Sequence, residues 1–273
     1  MRQRRSANHE VHDATRGHDD ITRRAFCRRL GGSVALLAGC SLSSGTGPSQ
    51  SGGDVGRLKS RPSTPTASLP PGIHALGLHT DRDGWVLVPA GYDASRRWPL
   101  ALFFHGAITP PRYYMDGFKP IADELGLVLV APSSRGRTWD RVMGAFADDP
   151  PFIDRALAHV FARVNTDPAR ISVSGFSDGG SYALSLGITN GDVFRHIAAY
   201  SPGFMAPATP RGKPRIFVSH GQSDSVLPIE TTSRPIVSEL RRAGYEVDFR
   251  EFDGPHAVSL SLAREAMTRM VAP

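Results

Sequence analysis

From about residue 85 onward, short unbroken apolar runs alternate with stretches in which apolar residues recur every three or four positions. Unbroken runs of four to seven residues suit strands buried on both faces, and the second pattern suits helices packed on them. Trp85–Val88 predicts an early strand, ended by Pro89. Leu100–Phe104 predicts another, followed at once by His105-Gly106, and Leu127–Ala131 a third, ended by Pro132. Pro150 and Pro151 open a helix whose residues Ile153, Leu157, Val160, Phe161 and Val164 share a face, proline being favoured in a first helical turn. The turn Thr166-Asp167-Pro168 leads into a strand at Ile171. A helix around Tyr182–Leu186 and strands at His196–Tyr200 and Ile216–Ser219 follow. A helix from Ile229 to Arg242, a strand at Val247–Phe252 and a final helix from about Ser259 complete the series. The alternation predicts an α/β domain with a mostly parallel central sheet and helices on both faces.

Upstream the pattern changes. Residues 41–72 are dominated by Ser, Gly, Pro and Thr, a composition that cannot offset its own ordering entropy and predicts a flexible tether. Before it, Leu30 to Ala38 forms an apolar run far short of the roughly 20 residues of a spanning helix. It follows the basic stretch Thr22-Arg23-Arg24-Ala25-Phe26-Cys27-Arg28 and ends in small residues, the layout of an export signal. The expected division is residues 1–39 as signal, 40–72 as a linker headed by Cys40, and 73–273 as one folded domain. About 200 residues suffice for one core.

This division removes most of the apparent basicity. The 273 residues carry 32 Lys and Arg against 26 Asp and Glu, a net +6. Residues 1–39 hold 8 of the basic and 4 of the acidic groups, leaving 24 against 22. Such a balance leaves no electrostatic footprint for a nucleic-acid partner. The two cysteines are Cys27, inside the signal, and Cys40, so no pair is left for a disulfide or a metal. No H-E-x-x-H, P-loop or dinucleotide glycine motif occurs, so no cofactor or metal is expected, and the residues point to no particular protein partner.

The chemistry centres on Gly175-Phe176-Ser177-Asp178-Gly179, directly after the apolar stretch Ile171–Ser174. G-x-S-x-G between a strand and a helix is the pattern of a nucleophile elbow, in which a strained turn lifts the serine Oγ above the sheet edge. The pentapeptide alone is a weak signal, so its surroundings decide. Serine needs a base, and the base needs an orienting acid. On this elbow they follow in the order Ser, Asp or Glu, His. Of seven histidines after Cys40, only His196, His220 and His256 follow Ser177. Asp224 stands just past the Ile216 strand and His256 just past the Val247 strand, both at strand ends where ligands bind in open α/β sheets. Asp253 is too close to His256 in sequence to serve as its acid without folding back. Asp178 is expected to point away along its helix, and His220 to shape the acid loop. The expected oxyanion donors are the backbone amides of Asp178 and of Ala107, in the turn after Phe104.

Val88-Pro89-Ala90-Gly91-Tyr92, Phe104-His105-Gly106, the Phe152-Ile153 helix, Gly175–Gly180, and His220-Gly221 to Asp224 with Leu227-Pro228 together resemble the α/β-hydrolase superfamily. Within it they are most similar to polyhydroxybutyrate-depolymerase and phospholipase/carboxylesterase-like esterases, over roughly Gly84 to His256. The resemblance implies cofactor-free ester hydrolysis. The family pattern often has Asn or Gln after the nucleophile, where this chain has Asp178. The segment around Arg23-Arg24 resembles a twin-arginine signal, and Leu37-Ala38-Gly39-Cys40 a bacterial lipobox. Those likenesses imply an exported protein lipidated at Cys40 and anchored to a membrane. Only a short loop lies between Ser201 and Pro214, so no large cap domain is expected, and the site should be open to small, aryl or polyester-type esters. Tyr113, Tyr114 and Trp139 follow strand ends and receive no role. A peptidase of the same fold and a non-catalytic surface-binding lipoprotein are the alternatives.

Overall fold

The computed structural model describes residues 55–273; the expected signal, the lipobox and Cys40 lie outside the described residues. In chain order the elements are β1 (Gly72–Ala75), β2 (Gly84–Val88), β3 (Trp98–Phe104), α1 (Pro111–Leu125), β4 (Val128–Pro132), α2 (Asp140–Met143) and α3 (Asp149–Phe161). They continue with β5 (Thr166–Phe176), α4 (Asp178–Thr189), β6 (His196–Tyr200), β7 (Arg215–Gly221), α5 (Ser233–Arg242), β8 (Val247–Phe252) and α6 (Leu260–Val271).

The strands form one sheet in the order β1-β2-β4-β3-β5-β6-β7-β8. β2 runs antiparallel to both β1 and β4, and every pairing from β4 to β8 is parallel. Alternation along each strand divides the core. In β3, Leu100, Leu102 and Phe104 face one side with Ile153 and Leu157 of α3, Leu186 of α4 and Leu240 of α5. Ala101 and Phe103 face the other side with Met115 and Phe118 of α1 and Met267 and Met270 of α6. Both faces of the central strands are thus covered, which is why those strands read as apolar runs, unlike the edge strands β1 and β8.

Two features depart from the sequence reading. Helix α1 falls in a stretch left unassigned, where Gly117 and Pro120 interrupt the pattern. Pro120 sits on the exposed side, while Tyr114, Met115, Phe118, Ile121 and Ala122 form the buried stripe. The tether expected over residues 41–72 is the second correction, because the described part of it is bonded to the domain. Arg57 grips both carboxylate oxygens of Asp192 at 2.7 Å. The Leu58 amide donates to Asn190 Oδ1 at 2.9 Å, and those of Lys59 and Ser60 to Asp154 Oδ1 at 2.8 Å. Leu58 itself is 1% exposed within the core. One leucine and a set of side-chain acceptors more than 90 residues away order a segment whose composition favours disorder.

Candidate active site

Ser177 links β5 to α4 at φ 57° and ψ −120°, a conformation costly for any residue with a Cβ. Its amide donates to Tyr200 O at 2.9 Å, and its carbonyl accepts from the Ser181 amide at 3.0 Å. The two motif glycines permit the turn. A Cβ at Gly175 would overlap the Gly179 carbonyl, and one at Gly179 would overlap the carbonyl oxygens of Phe104 and His105. The elbow therefore sits directly against the end of β3.

The structure brings Ser177, His256 and Asp224 together at the carboxyl edge of the sheet. Ser177 Oγ lies 2.9 Å from His256 Nε2, and His256 Nδ1 lies 2.6 Å from Asp224 Oδ2. A carboxylate only accepts, so Nδ1 carries the proton and Nε2 is free to accept from the serine hydroxyl. Asp224 and His256 are both buried, while Ser177 is half-buried. Asp224 Oδ1 accepts the amides of Val226 and Leu227 at 2.9 and 2.8 Å. Burial pushes the Asp224 carboxyl upward, but hydrogen bonds from His220 and His256 outweigh it and hold the group well below the usual carboxylate range. The Phe176 ring lies 4.7 Å from the His256 ring, centroid to centroid.

Ala107 lies in the turn after β3, and Asp178, as the first residue of α4, has an N–H with no intrahelical acceptor. Gly106 between them approaches closely: a Cβ there would lie 3.6 Å from that of Ser177. The loop of residues 133–139 after β4, which the sequence reading passed over, holds this turn from outside. The Ser134 amide donates to His105 Nε2 at 3.0 Å, so His105 Nδ1 must carry the proton that reaches Gly106 O at 2.7 Å. Trp139 Nε1 donates to His105 O at 2.9 Å, and the Ile108 amide to Arg137 O at 3.2 Å. Ile108 has φ 54°, an outlier for a β-branched residue. Thr138 Oγ1 donates to Asp178 Oδ2 at 2.6 Å, so the Asp178 side chain turns to this loop, and burial raises its carboxyl.

Asp149 closes the base of the loop. Its carboxylate accepts the Arg135 and Asp140 amides, each at 2.6 Å, and burial pushes the carboxyl up to about 6. Trp139 and Tyr182 stack beside it, with ring centroids 4.8 Å apart. Trp139 and Tyr114 are therefore buried structural aromatics, whereas Tyr113 is 45% exposed. Two cavities of about 110 and 140 Å³ open at the opposite edge of the sheet, beside His196 and Trp98, and neither reaches Ser177. Among the described residues no group of His, Cys, Asp and Glu is arranged to hold a metal.

No protein-family model matches the chain. Over 140 residues it is 31% identical to the bifunctional acetylxylan esterase/xylanase XynS20E of Neocallimastix patriciarum, covering 47% of this chain and 20% of that protein. Over 149 residues it is 30% identical to a probable dipeptidyl-peptidase 5 of Emericella nidulans, covering 50% of this chain and 20% of the relative. The matched region thus spans about a fifth of the length of these curated relatives. In structure the chain is similar to the fluorophosphonate-binding serine hydrolase FphF of Staphylococcus aureus. The TM-score is 0.60 at 15% identity, covering 75% of this chain and 100% of that one. The architecture is the α/β-hydrolase fold, and no large cap domain covers the sheet edge among the described residues.

Proposed function

We propose that this protein is a serine hydrolase that cleaves carboxylic esters through an acyl-enzyme. The observation that carries the reading is the continuous hydrogen-bond chain from Ser177 Oγ through His256 to Asp224. His256 Nε2 takes the serine proton as Oγ attacks the ester carbonyl, and Asp224 stabilises the imidazolium that forms. The amides of Ala107 and Asp178 receive the developing oxyanion. His256 then gives its proton to the departing alcohol. Water, activated by the same imidazole, releases the acid and restores Ser177.

The uncapped strand ends favour an ester that reaches the serine from open solvent, of small, aryl or polyester type. Similarity to an acetylxylan esterase supports ester chemistry. Similarity to a dipeptidyl-peptidase supports a second reading, peptide hydrolysis at the same serine. Turnover of p-nitrophenyl acetate, set against that of dipeptide p-nitroanilides, separates the two. Ser177→Ala should abolish turnover, and Asp224→Asn, which disturbs the histidine tautomer, should lower kcat by roughly 10⁴-fold. Unchanged rates in both variants would overturn the assignment, and failure of a fluorophosphonate to label Ser177 would favour a non-catalytic binding protein.

For the N-terminal region the proposal is export by a twin-arginine-type signal over residues 1–39, with acylation of Cys40. A Cys40→Ala variant should leave the membrane fraction, and its retention there would refute the anchor.

A further inference from the structure

Two imidazoles meet at one carboxylate oxygen in this site. His220, near the end of β7, has no exposed surface. Its Nε2 lies 3.0 Å from Asp224 Oδ2 and 2.8 Å from Leu227 O. Both partners can only accept, so Nε2 holds a proton and shares it between them. Its Nδ1 lies 2.7 Å from the hydroxyl of Ser233, which is also fully buried at the start of α5. Both ring nitrogens are therefore engaged and the ring is fixed in orientation. Asp224 Oδ2 is the same oxygen that His256 Nδ1 reaches at 2.6 Å.

We propose that His220 is a positioning residue that acts through Asp224: by donating to Oδ2 it draws charge from the oxygen facing His256 and sets the pH at which His256 is free to accept the Ser177 proton. The proposal rests on the reading of Ser177 as nucleophile. A carboxylate that receives a second donor is a weaker acceptor for the first. An imidazolium at His256 is then less favoured, and the base stays available at lower pH than if Asp224 answered to His256 alone. Clamping Oδ2 from the β7 side also stops the carboxylate from turning away between turnovers.

The other charged groups nearby have partners of their own. Asp178 faces His256 from α4 but is bonded by Thr138, and Glu251 of β8, within electrostatic reach of His220, is held by Arg234 and Gln222. The Phe176 ring supplies the apolar wall beside His256. Variants at His220 leave all of these in place.

The test is the pH dependence of kcat/KM for p-nitrophenyl acetate between pH 4.5 and 8 in wild type, His220→Ala and His220→Gln. His220→Ala should move the acid limb up by about 0.5 pH unit or more with KM little changed. His220→Gln places an amide N–H close to where Nε2 stands and should restore the limb towards its wild-type position. A folded His220→Ala variant that loses activity with its acid limb unmoved would reduce His220 to a packing role and overturn the proposal. If that variant does not fold, Ser233→Ala, which releases Nδ1 and loosens the ring, takes its place. A smaller shift of the same sign then supports the proposal, and an unmoved limb overturns it. Fluorophosphonate labelling of the wild type separates the two failures: an unlabelled Ser177 sinks both readings, whereas a labelled serine with an unmoved limb sinks only the role of His220.

Discussion

The indole Nε1 of Trp139 donates to the carbonyl oxygen of His105 at 2.9 Å, across 34 residues of sequence. His105 is thereby held at three points, since its ring also bonds the Ser134 amide and Gly106 O. The carbonyl of Gly106 and the amide of Ala107 belong to one trans peptide and point in opposite directions. Fixing the carbonyl on the His105 side therefore aims the Ala107 N–H away from it. Orientation of the proposed oxyanion turn is thus set by buried side chains.

Trp139→Phe keeps most of the ring that stacks on Tyr182 but removes the donor. Direct loss of an oxyanion donor costs about 10²–10³ in kcat; loss of a supporting bond should cost roughly tenfold. Steady-state kinetics on p-nitrophenyl acetate should show the loss in kcat with KM little altered. A rise in KM alone would mean that Trp139 shapes substrate binding instead.

Asp149→Ala removes the acceptor for the Arg135 and Asp140 amides and leaves two N–H groups unpaired in a largely buried site. At about 1–3 kcal/mol for each unsatisfied group, the loss in unfolding free energy should be roughly 2–6 kcal/mol. Urea denaturation measures it. Activity of the folded fraction should fall as well, because the same loop carries Thr138 and Trp139.

Leu58→Ala should cost about 2–4 kcal/mol, as for other buried leucines, despite lying in a segment of linker-like composition. A chain beginning at residue 68 lacks this leucine and the Arg57–Asp192 pair. It should melt well below one beginning at residue 55. Equal melting temperatures would show that residues 55–67 only rest on the surface.

Acid should weaken the fold before any carboxylate of ordinary pKa titrates. Burial lowers His105 and His196 from the ordinary 6.5 to about 4, with nearby arginines adding to the effect. The unfolded chain takes up these protons near pH 6.5 and the folded protein only near pH 4, so stability present above 6.5 is lost as pH falls to about 4. Asp149 works the other way. Its contribution is full below the ordinary 3.8 and is lost as pH rises through about 6, so it partly offsets the histidines. Between pH 7 and 4.5 the Tm should fall by at least about 4 °C. His196→Gln, at the edge of the sheet away from Ser177, should flatten that fall. Parallel Tm curves for variant and wild type would rule out the histidine.

The sequence by itself determined much of this protein. Strands β2 to β7 announce themselves because burial on both faces demands apolar runs, edge strand β8 (VDFREF) by its alternation of apolar and charged residues, and the elbow because no residue but glycine fits at Gly175 and Gly179. Chain order after Ser177, with Asp224 and His256 each at a strand end, singled out the residues that the structure joins by hydrogen bonds. Helix α1 was obscured by Gly117 and Pro120, whose propensities oppose a helix that tertiary packing stabilises. The loop of residues 133–139 was illegible for a different reason. Its bonds to His105 and Asp178 join residues 29 to 40 apart, and they exist only because the sheet order places β4 beside β3 and β3 beside β5. The ordering of residues 55–60 depends likewise on acceptors at Asp154 and Asn190 that folding brings to them. Local pattern records which residues must be buried or must turn; which loops meet at the sheet edge is decided by strand order, and only the tertiary structure holds that.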